Sequence, residues 1–422
     1  MLLDFQVSNF RAFAKPALFS LAASNYDASS LPGNMITPKL PGISRIKFLR
    51  GAAVYGANAS GKSNLIRAIF YLKRLVRQSY KSERGEELPH DPFLLNETSK
   101  HEPTLIAIRF VAKGIRYHYE LAFTAQRVLE ESLSAFPNGI AQLWFRRQWD
   151  EEKNDYVYSP DKSEYFIIRS IDKETSKENA LFLSTLGNLT NHPKIGDVYD
   201  WFRNRLAVIN LSESSELEHA NTLNRFKKDK QGILRFLKQA DLGITDINLQ
   251  KKPLPEKILE SLPEELQKQT RGEYVDVIFS HRGEGGKEYN LGLEDESVGT
   301  GRFFALIGAW MDLIEDGKVL FLDELETSLH PLLTRELVRM AMDPNINTKN
   351  AQIIFATHDP LLLDRTLLRR DQIWLTEKTD EGDSILYALS EYKNAPNNRE
   401  SLVRGYLSGR YGGVPFIPEG LM

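Results

Sequence analysis

At 422 residues, with 41% hydrophobic and 26% charged side chains, the chain has an ordinary globular composition and room for two or three domains. It contains no cysteine, which excludes a disulfide framework and any thiolate zinc site. A net charge of −3 gives no global attraction to nucleic acid, although a local basic patch stays open. No stretch approaches the ~20 apolar residues of a spanning helix, and no basic start is followed by an apolar core, so the expectation is a cytoplasmic protein without membrane partners.

In chain order, the opening residues read as a strand. Residues 49–55 form a mostly apolar run, and residues 64–75 place Leu65, Ile66, Ile69, Phe70 and Leu72 at helical spacing. Between them lies Gly56-Ala57-Asn58-Ala59-Ser60-Gly61-Lys62-Ser63, the G-x-x-x-x-G-K-[ST] pattern. Strand, glycine loop and helix in this order form a phosphate cradle: the glycines let backbone N–H groups converge, and the helix dipole faces the anion. The pattern predicts binding of a nucleoside triphosphate, with Lys62 reaching its β- and γ-phosphates and the Ser63 hydroxyl coordinating Mg²⁺.

From residue 104 to about 169 the pattern changes to antiparallel strands. Residues 105–111 and 115–123 flank a turn at Ala112-Lys113-Gly114, and Leu143-Trp144-Phe145 and Tyr165-Phe166-Ile167-Ile168 continue the series. Between 177 and about 266 helical patterns dominate, with Trp201, Phe202, Leu206, Ile233, Leu234 and Leu237 as core positions. This stretch holds the most basic run, Arg225-Phe226-Lys227-Lys228-Asp229-Lys230, followed by Arg235 and Lys238. Such a run can track a nucleic-acid backbone, but a solvated helix face explains it as well. No heptad run supports a long coiled coil. Tyr274-Val275-Asp276-Val277-Ile278-Phe279 returns as a strand, and the Gly-rich stretch at 281–286 reads as a turn.

Glu296-Ser297-Val298-Gly299-Thr300-Gly301-Arg302 precedes an apolar helix and predicts a second anion nest, in which the Ser297 side chain and the Gly299 N–H are donors. Val319-Leu320-Phe321-Leu322 is a buried strand ending in Asp323 and Glu324. Asp323 is placed to hold Mg²⁺, and Glu324 to act as general base on the attacking water. Another apolar run, Gln352-Ile353-Ile354-Phe355-Ala356-Thr357, ends in His358, suited to hydrogen-bond the γ-phosphate or the water. His90, His101, His118, His192, His219 and His281 show no metal-ligand spacing and read as structural or surface residues.

The order of lysine loop, Ser-x-Gly-Thr segment, Asp-Glu strand, Ser328-Leu329-His330-Pro331 and strand-end His358 resembles ABC-type ATPase heads of the SMC and RecF kind. The opening Phe5-Gln6-Val7-Ser8-Asn9-Phe10-Arg11-Ala12-Phe13 is similar to their first strand, whose Asn-Phe-Arg turn approaches the nucleotide. The Glu-Ser-x-Gly-Thr variant and the tail from Gly405 to Ile417 resemble, more narrowly, AAA-family ATP-binding proteins of prokaryotic anti-phage operons, such as the AbiL/RloA group and the ATPase subunit of PARIS-type systems.

The resemblance implies an α/β fold: a P-loop ABC-type ATPase head with an antiparallel β subdomain and a helical insertion. Its parts are residues 1–176 (phosphate loop and β subdomain), 177–270 (helical insertion) and 271–422 (signature, Asp-Glu strand and histidine switch). It assigns nucleotide contacts to Gly56, Asn58, Gly61, Lys62, Ser63, Asn64 and Arg11, and to Ser297, Gly299 and Thr300 of the signature. Mg²⁺ falls to Ser63 and Asp323, and catalysis to Glu324 and His358. The signature lacks the second half of the transporter form, and Asn96 is the nearest candidate for the glutamine-loop position. The implied activity is ATP hydrolysis in a homodimer or larger homo-oligomer that sandwiches ATP between the lysine loop of one copy and the signature of another, controlling a separate nuclease or toxin. The alternatives are a RecF-like repair ATPase that grips DNA through the helical module, and a transporter motor with a membrane partner.

Overall fold

The computed structural model describes residues 1–25, 29–159, 176–209, 215–240, 242–253, 273–392 and 400–415. The chain opens with β1 (Leu2–Ser8) and β2 (Ala17–Ser20), and the short pair β3 (Met35–Ile36) and β4 (Phe48–Leu49) leads into β5 (Gly51–Gly56) and helix α1 (Lys62–Gln78). Then come β6 (Thr104–Ala112), β7 (Ile115–Phe123), β8 (Val128–Phe136), β9 (Gln142–Asp150) and β10 (Asp155–Ser159). Helices α2 (Phe182–Leu189) and α3 (Pro193–Asp200), a π turn at Trp201–Arg205 and β11 (Leu206–Ile209) come after them. Next are α4 (Ser215–Phe226), α5 (Lys230–Gln239), β12 (Ile244–Pro253), β13 (Glu273–Arg282) and β14 (Glu288–Gly292). The chain continues with α6 (Val298–Asp316), β15 (Val319–Leu322), α7 (Pro331–Met342), β16 (Gln352–Ala356), β17 (Ile373–Lys378), β18 (Ser384–Ala388) and α8 (Leu402–Leu407).

These elements form two compact units. The first comprises Met1–Glu213, Leu313–Glu326 and Thr334–Met422, and the second Ser214–Asp312 and Thr327–Leu333. The first holds a six-stranded sheet in the order β11-β15-β16-β5-β17-β18, parallel except for the edge strand β18. Every residue of β5, β15 and β16 is buried, which is why these strands read as unbroken apolar runs. Close packing also dictates residue size: a Cβ on Gly51 would stand 2.2 Å from the Ile353 carbonyl oxygen.

The second sheet of this unit is antiparallel, in the order β10-β9-β8-β7-β6-β1-β2. In β6 burial alternates, with Thr104, Ile106, Ile108, Phe110 and Ala112 inward, as a strand with one wet face requires. Lys113 and Gly114, both at positive φ (48° and 77°), make the two-residue turn to β7, matching the strand twist. One apolar core joins this sheet, α1, the helices at 182–205 and the parallel sheet. Within it Phe110 stacks on Trp201 at a centroid distance of 4.2 Å. The Gln352 amide ties the sheets together, accepting from the Leu2 N–H at 2.6 Å and donating to the Leu2 and Leu49 carbonyls.

Residues 177–270 are not helical throughout. Leu206–Ile209 is a strand paired with β15, and Ile244–Pro253 pairs with β13 in the three-stranded sheet β12-β13-β14 of the second unit. Both depend on partners more than a hundred or some thirty residues away in sequence, information that a local pattern does not contain. Trp201, Phe202, Leu206, Ile233, Leu234 and Leu237 are all buried. The run Tyr165-Phe166-Ile167-Ile168 lies outside the described residues.

A fully buried ion pair holds α2 against the antiparallel sheet. Glu131 lies 3.7 Å from Arg147, accepts the Phe182 and Leu183 N–H groups at 2.6 and 2.8 Å and the Tyr119 hydroxyl at 2.8 Å, and so satisfies orphan donors at the helix start. Arg147 donates to the Ser176 hydroxyl and to the Lys177 and Ala180 carbonyls. Burial raises the Glu131 pKa, against the pull of Arg147 and these hydrogen bonds. Arg147→Met is therefore expected to cost about 3–5 kcal/mol in urea unfolding, because it strands a buried carboxylate. Adding Glu131→Gln to that variant should restore part of the loss.

Candidate functional site

Strand β16 lies between β5 and β15, all three parallel, so Gly56, Leu322 and Ala356 end side by side. The loops leaving these ends carry 57–61, Asp323-Glu324 and Thr357-His358. Three backbone bonds lock the second and third of these to neighbouring strands: the Asp323 N–H to the Ile209 carbonyl, Leu325 N–H to Ala356 and Thr357 N–H to Val54. The carboxyl ends of parallel strands are where α/β sheets bind ligands.

The first loop demands its glycines. A Cβ on Gly56 would meet the Ser60 and Thr376 hydroxyls at 2.3 Å, and Gly61 adopts φ 111° as the N-cap of α1, with no side chain capping the helix. The first-turn N–H groups of α1 thus remain without helical partners at the positive end of its dipole. Lys62 is buried and turns its ammonium onto the Gly56 and Ala57 carbonyls at 2.9 and 3.0 Å. Burial lowers its pKa, partly offset by Asp323, Glu324 and Glu326. Asn58 is exposed, and Ser63 and Asn64 are half-buried.

Asp323 is buried, and its Oδ1 has no hydrogen-bond partner among the described residues. Burial raises its pKa; a hydrogen bond from Ser63 opposes this and the Glu324 charge adds to it. A buried carboxylate oxygen without a donor, beside a serine hydroxyl and near an ammonium, suits a divalent cation: Ser63 and Asp323 are the residues that would hold Mg²⁺. Glu324 is exposed and left-handed at φ 52°, an uncommon conformation for a residue with a Cβ. His358 is exposed, but partial desolvation and the Lys62 charge lower its pKa from the ordinary histidine value against the pull of the three carboxylates, which favours the neutral imidazole at pH 7.

Glu326 escaped the sequence reading. Its Oε1 accepts the His358 backbone N–H at 2.5 Å, and its Oε2 is buried with no partner among the described residues. The available clue was a third carboxylate two positions beyond the Asp-Glu pair.

Other residues singled out by the sequence have partners of their own. Arg11 donates to Asp91 through Nε and Nη2 at 3.0 and 2.6 Å and to the Tyr71 hydroxyl at 3.4 Å. Asn9 of the same turn staples the Phe93 N–H and the Ser99 and Glu102 carbonyls. Asn96 accepts from the Ser99 N–H. The signature belongs to the second unit, where the Ser297 hydroxyl accepts the Thr300 N–H at 3.0 Å and caps α6, and a Cβ on Gly299 would stand 2.8 Å from the Ser328 carbonyl oxygen. In the basic run Arg225 faces Asp312 at 3.6 Å and Lys230 pairs with Asp246 at 2.8 Å, while Lys227 and Lys228 are exposed. Among the described residues no cluster of three His, Asp or Glu could hold a metal ion. The tail reaches the back of the loop: Tyr406 packs on Tyr55, and the Gly413 N–H donates to Glu377 at 2.7 Å. Phe416 and Ile417 lie outside the described residues.

Residues 52–364 match the family model described as "AAA domain, putative AbiEii toxin, Type IV TA system". The chain belongs to this AAA-domain family. The match begins within β5 and runs past His358, so it spans all three strand ends of the site. No curated protein matches the chain. Among solved structures it is similar to the SMC head domain from Thermotoga maritima, at 15% identity over 92% of this chain and 98% of that one, with a TM-score of 0.39. It is also similar to the Smc head domain with an extended coiled coil bound to the C-terminal domain of ScpA from Pyrococcus furiosus, at 12% identity over 92% and 97%, with a TM-score of 0.38. Among the described residues, no helix is long and apolar enough to cross a membrane.

The unpartnered Asp323 oxygen generates a prediction. A carboxylate whose pKa is raised on folding destabilises the folded state at any pH above its folded pKa, so Asp323→Asn should stabilise the ligand-free protein by about 1–2 kcal/mol. Thermal unfolding without nucleotide checks the gain. The same variant should lose the further stabilisation that Mg²⁺ with ATP confers on wild type.

Proposed function

We propose that the chain binds ATP with Mg²⁺ and hydrolyses it, using ATP occupancy as a switch. The observation that carries this reading is the buried, partnerless Asp323 Oδ1 beside Ser63, with Lys62 held on two carbonyls of its own loop. In this reading Lys62 leaves the Gly56 and Ala57 carbonyls for the β- and γ-phosphates, and the N–H groups of the loop and the first turn of α1 donate to phosphate oxygens. Bound Mg²⁺ would neutralise phosphate charge. The exposed Glu324 carboxylate takes a proton from water as its oxygen attacks the γ-phosphorus, and the bond to the ADP oxygen breaks. Neutral His358 donates a hydrogen bond to the γ-phosphate.

The signature residues Ser297, Gly299 and Thr300 complete the site from a second copy of the chain, making a head-to-tail homodimer. Two anion-directed helix starts in two separate units support this arrangement, as does the exposure of Val298 (76%) and Leu332 (69%) in the unit that carries the signature. A regulatory role in anti-phage defence, with a separate effector, rests on the Glu-Ser-x-Gly-Thr segment, the tail and the family description, which names a toxin–antitoxin system.

Glu324→Gln is expected to bind ATP normally and to hydrolyse it about 10²- to 10⁴-fold more slowly, accumulating a closed dimer visible by size. Lys62→Ala should weaken triphosphate binding itself; unchanged affinity in a direct titration counts against the loop. Mixed dimers test the shared site. A Lys62→Ala protomer paired with a Gly299→Asp protomer puts both defects in one site and should still turn over. Wild type paired with the double mutant spoils both sites and should be nearly inactive. The opposite ranking means that each site is contained in one chain.

A further inference from the structure

We infer that His281 is a positioning residue for the signature: it holds the Glu296 carboxylate against the three-stranded sheet and so leaves the nest at Ser297 open to an anion. The inference rests on the shared-site reading above and assigns a role to a histidine outside the motifs.

The sequence sets a conflict at the start of α6. Glu294, Asp295 and Glu296 directly precede Ser297, so three carboxylates stand in front of a nest that would receive a phosphate. A loose carboxylate there competes for the N–H groups of the first turn, which have no helical acceptor, and repels the γ-phosphate. Two of the three are harmless. Asp295 accepts the Gly292 N–H at 3.1 Å, and Glu294 is exposed to solvent. Glu296 is the one that matters, because its side chain is only 7% exposed and its neighbour is the serine whose hydroxyl caps the helix.

His281 occupies a rigid place from which to hold that charge. It lies in β13, the middle strand of its sheet, opposite Ile244 of β12 and Tyr289 of β14. Its Nε2 stands 2.5 Å from Glu296 Oε1. An ionised carboxylate only accepts, so the imidazole is the donor, in a charge-assisted bond of the strong kind. No other side chain among the described residues bonds to Glu296. Lys252 of the adjacent strand does not, since Asp276 engages it at 2.5 Å. Both members of the His281–Glu296 pair and the signature itself belong to the second unit, so this arrangement is complete within it.

The test uses the full-length protein and reads turnover at saturating Mg²⁺ and ATP. His281→Ala should lower turnover about 10- to 100-fold while changing the affinity for a non-hydrolysable ATP analogue less than about threefold, because the lysine loop is untouched. Adding Glu296→Gln to His281→Ala removes the freed charge and should bring turnover back to within about threefold of wild type. His281→Gln keeps an N–H donor and should stay near wild type. A His281→Ala protomer paired with a Lys62→Ala protomer should turn over well above the His281→Ala homodimer, since one shared site then keeps an intact lysine loop and an intact signature. Full turnover in His281→Ala, beside loss of turnover in Gly299→Asp, overturns this inference alone. So does a double variant no better than His281→Ala, which makes the histidine a packing residue. Turnover that survives Gly299→Asp overturns the shared-site reading, and this inference with it.

Discussion

The structure depends on the parallel pairing of β16 between β5 and β15. That register brings Gly56, Leu322 and Ala356 to one edge, although some three hundred residues of chain lie between Gly56 and Ala356. Each strand is buried on both faces, so a one-residue slip would force a different set of side chains into the same tight layers, and the Gly51 contact with Ile353 leaves no room for it. Apolar burial fixes the strands, and the strands in turn place the polar groups at their ends.

Those polar groups are left in costly states. Asp323 has a buried oxygen without a donor, Lys62 has an ammonium on its own loop carbonyls, and Glu324 has a left-handed backbone. Each sacrifices stability that a neutral, paired arrangement would keep, and all three lie at the ends of adjacent strands. The buried Glu131–Arg147 pair shows the contrast. There the charge is at least as desolvated, but Glu131 accepts from three donors and Arg147 donates to three acceptors, leaving only the Arg147 Nε without a partner among the described residues, and the effect of the pair is to hold α2 in place.

Two segments read as nucleotide contacts also serve as architecture. Arg11 is engaged by Asp91 and Tyr71, and Asn9 staples the backbone around residues 93–102. The Ser297 hydroxyl caps α6. A residue type suited to phosphate is suited to backbone N–H and carboxylate for the same reason, its hydrogen-bonding capacity, and only three-dimensional surroundings reveal which partner is present.

The phosphate loop, the strand ending in Asp323-Glu324 and the strand ending in His358 were legible in the sequence because each is local: glycine spacing, an apolar run and a polar terminus all fall within about ten residues. The alternation of β6 and β7 and their two-residue turn were legible for the same reason. The strands Leu206–Ile209 and Ile244–Pro253 were not, since a strand at the edge of a sheet owes its conformation to a distant partner rather than to its own pattern. Nor was the place of β1 in the antiparallel sheet, or the contact of Glu326, which depends on a single hydrogen bond to a residue thirty-two positions away. Sequence alone determined which side chains are suited to phosphate and metal chemistry; tertiary structure decided which of them meet, because strand order and loop closure are set by long-range burial that no local window records.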